Sequence, residues 1–170
     1  MDSIKERFKV KADLLGTEIK QLVKEHGNKV IGEVTLSQVY QGMRGMTGLV
    51  TETSLLDANE GIRFRGYSIP ELKEKLPTVV GGSEPLPEGL FHLMLLGELP
   101  TQEEADTITA TLQRRSHVPN YVFDTIEALP VSSHPMTMFV VAIMALQNGS
   151  HFAKAYASGM NKKDYWDATF

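Results

Sequence analysis

The stretch "GMRGMTGLVTETSLLDANEGIRFRGYSIPE", residues 42 to 71, combines clustered glycines and arginines with a run of alternating apolar and polar residues. Its central segment "DANEG", residues 57 to 61, has the composition of a tight turn. The alternation on either side of this turn is typical of strands that expose one face and bury the other. We therefore predict a small β-hairpin near residues 48 to 67.

The second strand of this hairpin places its arginines opposite its apolar residues. Ile62 and Phe64 are expected on one face, and Arg63 and Arg65 on the other, because side chains alternate along a strand. Two arginines on one face can bind a carboxylate or phosphate, or they can pair with acidic helices packed on the sheet. We favour structural pairing with acidic residues.

The glycines at the start of the stretch leave two interpretations open. Gly42, Gly45 and Gly48 are spaced three residues apart, which matches neither the dinucleotide-binding fingerprint nor the P-loop. Small residues beside Arg44 would let backbone N–H groups and a guanidinium approach a phosphate together. A tight bend that carries a solvated arginine is the alternative.

Outside this stretch the sequence predicts a mainly α protein. Ser3 and Glu6 have the spacing of a capping box and open a long amphipathic helix that ends at Gly27. Residues 29 to 36, "KVIGEVTL", are predicted as a short strand. Helical patterns follow from residue 69 onward, and Thr101 with Glu104 forms a second predicted capping box.

The most apolar segment is "MFVVAIMAL", residues 138 to 146, and we predict that it is a core helix. It is much shorter than the roughly 18 to 20 apolar residues that a membrane span requires. A helix that is apolar on every face must be covered on every face. This pattern indicates a larger parent protein or an oligomer.

The composition excludes several classes of function. The net charge is −4, so a general nucleic-acid or membrane-surface binder, which would normally be basic, is not expected. The chain has no cysteine, and therefore no disulfide, thiol nucleophile or cysteine metal site. The first residues, "MDSIKERFKVK", resemble neither a secretory signal nor a transit peptide.

No metal centre or catalytic group is predicted from the histidines. The five histidines are widely separated, and "DANEG" lacks the glycine position and the terminal acid of a calcium loop. Glu88 and His92 share a helix face, where surface or locally hydrogen-bonded roles are expected. His134 precedes Pro135 at a helix entrance, so we predict that it caps the helix.

Several motifs, taken together, resemble citrate synthase of the eukaryotic mitochondrial type. They are residues 42 to 71 quoted above, "EPLPEGLFHLMLLGELPT" at 84 to 101, "HPMTMF" at 134 to 139, and "ALQ" at 145 to 147. The resemblance implies a mainly α fold with a large and a small domain, working as a homodimer. It also implies that residues 1 to 170 are the N-terminal part of the large domain. The small domain and the catalytic segment would then lie outside this chain.

The resemblance further implies an acyltransferase of the tricarboxylic acid cycle. It would condense acetyl-CoA with oxaloacetate and water to give citrate and CoA, with CoA as substrate and product and no permanently bound cofactor. The family's catalytic histidines and aspartate belong to later motifs, so this chain alone is expected to be inactive. Two alternatives remain: 2-methylcitrate synthase, or a truncated non-catalytic helical module that docks on full-length subunits.

Two positions of this chain match CoA contacts of the family. Arg44 in "GMRGM" matches an arginine that contacts CoA phosphate, and Lys162 in "NKKDYW" aligns with an arginine that reaches CoA from the partner subunit. Lysine keeps the charge but loses the bidentate fork. Family membership also implies the mitochondrial matrix, although peroxisomal relatives exist.

Overall fold

The computed structural model describes residues 1–46, 48 and 50–169, and the chain divides into two compact units, Met1–Thr111 and Leu112–Phe170. Among the described residues the fold is mainly α, as predicted. The first unit contains α1 (Asp2–His26), α2 (Leu36–Tyr40), β1 (Ser54–Asp57), β2 (Gly61–Phe64), β3 (Tyr67–Ser68), α3 (Ile69–Lys75), α4 (Pro87–Leu96) and most of α5 (Gln102–Arg114).

The second unit is helical throughout its described elements. These are α6 (Asn120–Glu127), α7 (Pro135–Leu146), α8 (His151–Ala157), α9 (Tyr165–Thr169) and two short 3₁₀ helices, Gln147–Gly149 and Lys162–Asp164. Among the described helices, none is both long and apolar enough to cross a membrane.

The long first helix is confirmed, but its predicted capping box is wrong. Met1 occupies the N-cap position without a side-chain hydrogen bond, so Ser3 already lies inside the helix. The helix ends at Gly27, whose N–H donates to the carbonyl of Val23 at 2.8 Å. Ile4 is buried, whereas most apolar side chains of the second half of α1 are exposed.

The strand predicted at residues 29 to 36 is absent. Residues 30 to 35 have no regular secondary structure, and α2 begins at Leu36 after a cap by Thr35. Apolar alternation forms a strand only where a neighbouring strand satisfies its backbone groups. No described strand pairs with this segment, and Val30 and Ile31 are more than three-quarters exposed.

The β-hairpin is confirmed over a shorter range than predicted. β1 pairs antiparallel with β2, with Leu56 opposite Ile62, and β3 adds a third strand on the other side of β2. The carboxylate of Asp57 accepts from the N–H groups of Asn59 and Glu60 at 2.8 and 2.9 Å. These bonds close the turn at "DANEG" and lower the pKa of Asp57. Residues 47 and 49, within or beside the predicted hairpin, lie outside the described residues.

A small apolar core joins the hairpin to α3 and α4. The hydroxyl of Ser68 caps α3, and the Glu71 carboxylate in turn accepts from the Ser68 N–H at 2.7 Å. This capping box fixes the start of α3, and Leu72 of α3 belongs to one core cluster with Leu93 of α4. The core comprises three buried leucines and four partly buried neighbours: Leu72, Leu76, Leu93, Phe64, Tyr67, Leu90 and Leu99.

The carboxyl end of α4 receives side chains from two distant parts of the chain. The guanidinium of Arg65 donates to the carbonyl of Met94 at 2.7 and 3.2 Å. The ammonium of Lys11 donates to the carbonyl of Leu96 at 2.5 Å. Both carbonyls belong to the last turn of the helix, where intrahelical donors run out and cations are favoured.

In the second unit, α7 is more exposed than a core helix. Its N-terminus is capped by His134, whose Nδ1 accepts from the Met136 N–H at 3.1 Å, as predicted. No residue of α7 is buried, however, and Phe139 and Ile143 are 58% and 50% exposed. The prediction of a core helix is therefore wrong for the described part of the chain, because the unit lacks elements to cover every face.

We expect that Arg65→Ala lowers the free energy of unfolding by about 1.5 to 3 kcal/mol, because it removes charge-assisted bonds to the partly buried carbonyl of Met94. Arg63→Ala is the matched control. Its carboxylate partners and its bond to the Gly66 carbonyl are all exposed, so its loss should cost about 1 kcal/mol or less. Urea unfolding measures both variants, and equal losses would contradict a special role for the Arg65 contact.

Candidate functional site

Arg44 lies in a turn that immediately follows α2 and contains three left-handed residues. Gly42, Met43 and Gly45 have φ values of 82°, 60° and 69°. Glycine adopts this conformation freely, whereas Met43 does so at an energetic cost of about 1 to 2 kcal/mol. The N–H of Met43 donates to the carbonyl of Gln38 at 2.7 Å, which ties the turn to α2.

The side chain of Arg44 is available to a ligand. The residue is exposed, and its guanidinium forms no ion pair with any other described residue. A guanidinium presents a planar set of donors that matches phosphate oxygens. The turn therefore presents an exposed cation, which fits both interpretations of the glycine spacing, the anion-binding bend and the tight bend with a solvated arginine.

Lys162 belongs to the second unit, in the 3₁₀ helix Lys162–Asp164. The side chain of Asn161 caps this short helix by accepting from the Lys163 N–H at 3.1 Å. Lys162 is exposed, and it has no ion-pair partner within the described ranges. Arg44 and Lys162 are thus two available cations in different units.

Arg63 and Arg65 both have structural roles, as predicted, but only Arg63 pairs with an acidic helix. The acidic contact of Arg65 is Glu52, 3.7 Å away and outside the helices. Arg63 pairs with Glu60 at 3.2 Å and with Glu71 of α3 at 3.8 Å, so it does pair with an acidic helix. Arg65 lies just past β2 with a left-handed φ of 48°, and its main acceptor is the Met94 carbonyl. The predicted alternation of Arg65 along the strand is therefore wrong, since the strand ends at Phe64.

A cluster of charged residues that the sequence analysis did not predict joins α1 to α5 and to the loop that follows α4. Arg7 donates to the carboxylates of Glu98 and Glu104, each at 2.5 Å, and Lys11 also contacts Glu98. Glu104 in turn completes the predicted capping box, because it accepts from the Thr101 N–H at 2.8 Å. These partners lie about ninety residues apart in the sequence, so no local motif reveals them.

His92 lies beside this cluster and is fully buried. Its Nδ1 is 3.1 Å from the carbonyl oxygen of Glu98, and its Nε2 is 3.6 Å from a carboxylate oxygen of Glu104. The prediction of a local hydrogen bond is confirmed, and that of a surface position is wrong. A histidine with no exposed surface cannot reach a substrate, so the cluster serves the fold.

The cluster shifts the pKa values of its members. The side-chain hydrogen bonds of Lys11 and Arg7 lower the pKa of Glu98. The Thr101 N–H, followed by Arg7 and His92, lowers the pKa of Glu104. Hydrogen bonds to Glu104 and Glu98 raise the pKa of Arg7. All three groups are therefore held in their charged forms.

An open groove in the second unit brings two of the separated histidines to one surface. His117 and His151 line it together with Arg115, Tyr121 and Phe152. Within residues 1–46, 48 and 50–169, no three His, Asp or Glu side chains are grouped so that they could hold a metal ion.

The chain matches a known family over most of its length. Residues 42–170 match the family model described as "Citrate synthase, C-terminal domain". A mitochondrial citrate synthase of Aspergillus niger is 52% identical over 168 residues, which is 99% of this chain and 35% of that protein.

Two further relatives carry other names. A protein of Yarrowia lipolytica named mitochondrial 2-methylcitrate synthase is 49% identical over 99% of this chain and 36% of its own length. A peroxisomal citrate synthase of Saccharomyces cerevisiae is 47% identical over 99% of this chain and 36% of its own length. The chain therefore spans about a third of the length of the curated relatives that it matches.

The charged cluster leads to a pH prediction. Because the folded-state pKa values of Glu98 and Glu104 are lowered, their stabilisation is present above the ordinary pKa of glutamate and is lost as the pH falls below it. Arg7→Met should lower the free energy of unfolding at neutral pH by about 0.5 to 1 kcal/mol, given the exposure of the pairs. It should also make the loss of stability in acid shallower.

Urea unfolding at several pH values between about 3 and 7 measures this difference. Lys20→Met, which removes an exposed cation from the same helix, should leave the acid profile unchanged. If Arg7→Met and the unchanged protein lose stability in acid along parallel curves, then Arg7 does not control these two carboxylates.

Proposed function

The chain belongs to the citrate synthase family, and on this premise we propose that residues 1–170 are part of a citrate synthase. In this enzyme, acetyl-CoA condenses with oxaloacetate and water to give citrate and CoA. CoA enters as part of one substrate and leaves as a product, and no permanently bound cofactor takes part. Within this proposal the chain is the N-terminal part of the large domain.

The observation that carries the proposal for this chain is the available guanidinium of Arg44 on a turn tied to α2. We assign it to the phosphate groups of CoA. A charge-assisted hydrogen bond from a guanidinium to phosphate is among the stronger polar contacts in proteins. The turn supports this role because it orders the backbone of Arg44 before the ligand arrives, which lowers the entropic cost of binding.

Lys162 is assigned to a second CoA contact, made across a subunit interface of a homodimer. Its exposure and its position without an ion pair among the described residues support this role. The exposed apolar side chains of α7, including Phe139 and Ile143, support association with a second subunit. Large exposed apolar patches mark interaction surfaces in soluble proteins.

The groups that carry out acid–base catalysis are assigned to a segment outside residues 1–170. The buried position of His92 supports this division, because the side chain of this histidine is closed to substrate. This chain would then contribute binding and scaffold, while the proton transfers take place on other residues. By itself it would be inactive.

The mitochondrial matrix is the proposed location. The relatives from Aspergillus niger and Yarrowia lipolytica carry mitochondrial names, which support it, and the yeast relative named peroxisomal supplies the alternative. Localisation of a fluorescent fusion of the full-length gene product would distinguish the two organelles.

The activity is tested in a chimera in which residues 1–170 replace the matching 168 residues of the Aspergillus niger relative. We expect this chimera to release free CoA from acetyl-CoA and oxaloacetate, detected with a thiol reagent. The unaltered Aspergillus niger protein is the positive control. A chimera that folds by circular dichroism but releases no CoA would overturn the proposal.

The acyl preference is measured in the same assay. The 49% identical relative named 2-methylcitrate synthase makes propionyl-CoA the competing substrate to compare. The full-length gene product is the protein to use here, because residues outside this chain can shape the acyl pocket. A larger kcat/KM for propionyl-CoA than for acetyl-CoA would replace citrate synthase by 2-methylcitrate synthase.

For Arg44→Ala in the chimera, we expect a higher KM for acetyl-CoA and little change in the KM for oxaloacetate. The loss of one charged hydrogen-bonded contact costs about 1 to 3 kcal/mol, or roughly five- to 150-fold in KM. Arg115→Ala, which removes another exposed arginine, is the matched control. An unchanged KM for acetyl-CoA would remove Arg44 from the CoA site.

For Lys162 the chain offers an adjacent control. Lys162→Ala should raise the KM for acetyl-CoA by about two- to tenfold, since an exposed charge contributes less than a desolvated one. Lys162→Arg should lower the KM, because a guanidinium restores bidentate phosphate binding. Lys163→Ala should leave the KM for acetyl-CoA unchanged. If Lys162→Ala and Lys163→Ala raise the KM for acetyl-CoA equally, the overall positive charge of this segment explains the effect, and a direct contact of Lys162 with CoA does not.

A further inference from the structure

One side chain connects the cap of α2 to the backbone of Arg44. The Oε1 atom of Gln38 accepts from the N–H of Thr35 at 2.9 Å and from its hydroxyl at 3.2 Å. The Nε2 atom of Gln38 donates to the carbonyl of Arg44 at 3.3 Å. The side-chain amide of Gln38 thus forms hydrogen bonds through both its oxygen and its nitrogen.

The chemistry of the partners determines which end of the amide faces which partner. The Thr35 N–H can only donate, so it must face Oε1, and the Arg44 carbonyl can only accept, so it must face Nε2. A flipped amide would place two donors together at Thr35 and two acceptors together at Arg44. Gln38 is also half-buried, whereas its neighbours in α2 are exposed.

Without the contacts of Gln38, the backbone conformation of this turn would be energetically unfavourable. Met43 is a non-glycine residue in the left-handed region, and Gly42 and Gly45 flank the Met43–Arg44 pair in the same region. Backbone in sparsely populated regions persists where surrounding contacts determine it. Two such contacts come from Gln38: its backbone carbonyl accepts from the Met43 N–H at 2.7 Å, and its side chain binds the Arg44 carbonyl.

We infer that Gln38 is a positioning residue for CoA binding, which acts by holding the backbone of Arg44 through the Nε2–carbonyl bond. The inference rests on the proposed role of Arg44. Because the amide is anchored at the backbone N–H of Thr35, movement of the Arg44 backbone is restrained relative to the start of α2. The guanidinium then binds phosphate with less conformational entropy to lose.

Two substitutions in the chimera distinguish the effect of the Nε2–carbonyl bond to Arg44 from the effect of the cap of α2. Gln38→Glu keeps an oxygen for Thr35, as in an ordinary capping box, but has no N–H for Arg44. Gln38→Met has a similar length and adds no charge, but it lacks both the acceptor and the donor. The one loss that both variants share is the Nε2 donor. Thr35→Val is the matched control, since it removes the hydroxyl of the cap but keeps the backbone N–H of Thr35, which forms the shorter of the two bonds to Oε1, and keeps the Gln38 amide.

We expect both Gln38 variants to raise the KM for acetyl-CoA about three- to tenfold, the effect of losing one neutral hydrogen bond. The values of kcat and of the KM for oxaloacetate should stay within about twofold, and Thr35→Val should behave like the unsubstituted chimera. In an Arg44→Ala background, the Gln38 substitutions should have no further effect, because the group that they position is gone.

The outcomes distinguish this inference from the proposed function. If Arg44→Ala leaves the KM for acetyl-CoA unchanged, the proposed role of Arg44 fails. If Arg44→Ala raises it while both Gln38 variants do not, only the positioning role fails. An effect of Gln38 that persists in the Arg44→Ala background also overturns the inference. Hydrogen exchange of residues 41 to 45 gives a readout independent of activity, and it should be faster in both Gln38 variants than in Thr35→Val.

Discussion

The carboxyl end of α4 needs donors, and the organisation of the first unit depends on where they come from. A helix leaves its last carbonyls without intrahelical partners. Here the Met94 and Leu96 carbonyls accept from Arg65 and Lys11, which belong to the hairpin region and to α1. Both donors are cations, and their charge is favoured at this end of the helix dipole. One helix terminus thus binds two separate elements, both of which precede it in the sequence.

Most of the local structure could be predicted because short-range patterns specify it. The turn at Asp57, the caps at Thr101 and His134, and the stop at Gly27 each depend on residues within four positions of one another. The strand predicted at residues 29 to 36 failed for the opposite reason. Apolar and polar residues do alternate there, but a strand also needs a neighbouring strand to pair with. That pairing depends on the tertiary fold, which the alternation does not predict.

The candidate site could be predicted only in part. The glycines around Arg44 indicated a bend that presents a cation, and the family resemblance selected its ligand. The hydrogen bonds of Gln38 could not be predicted, because its amide bonds a residue three positions back and a carbonyl six positions ahead in a non-helical turn. The cluster of Arg7, Glu98 and Glu104 was missed because it joins residues from opposite ends of the first unit.

That cluster also bears on the order in which the first unit folds. The hairpin, α3 and α4 share one apolar core over short sequence separations, so chain entropy opposes their association only weakly. Arg7 meets Glu104 across 97 residues, and Lys11 meets the Leu96 carbonyl across 85. Contacts that close such long loops gain free energy only after the intervening chain is ordered. We therefore expect α1 to dock late in folding and to detach early in unfolding, so that its ion pairs govern how long the folded unit lasts more than how fast it forms.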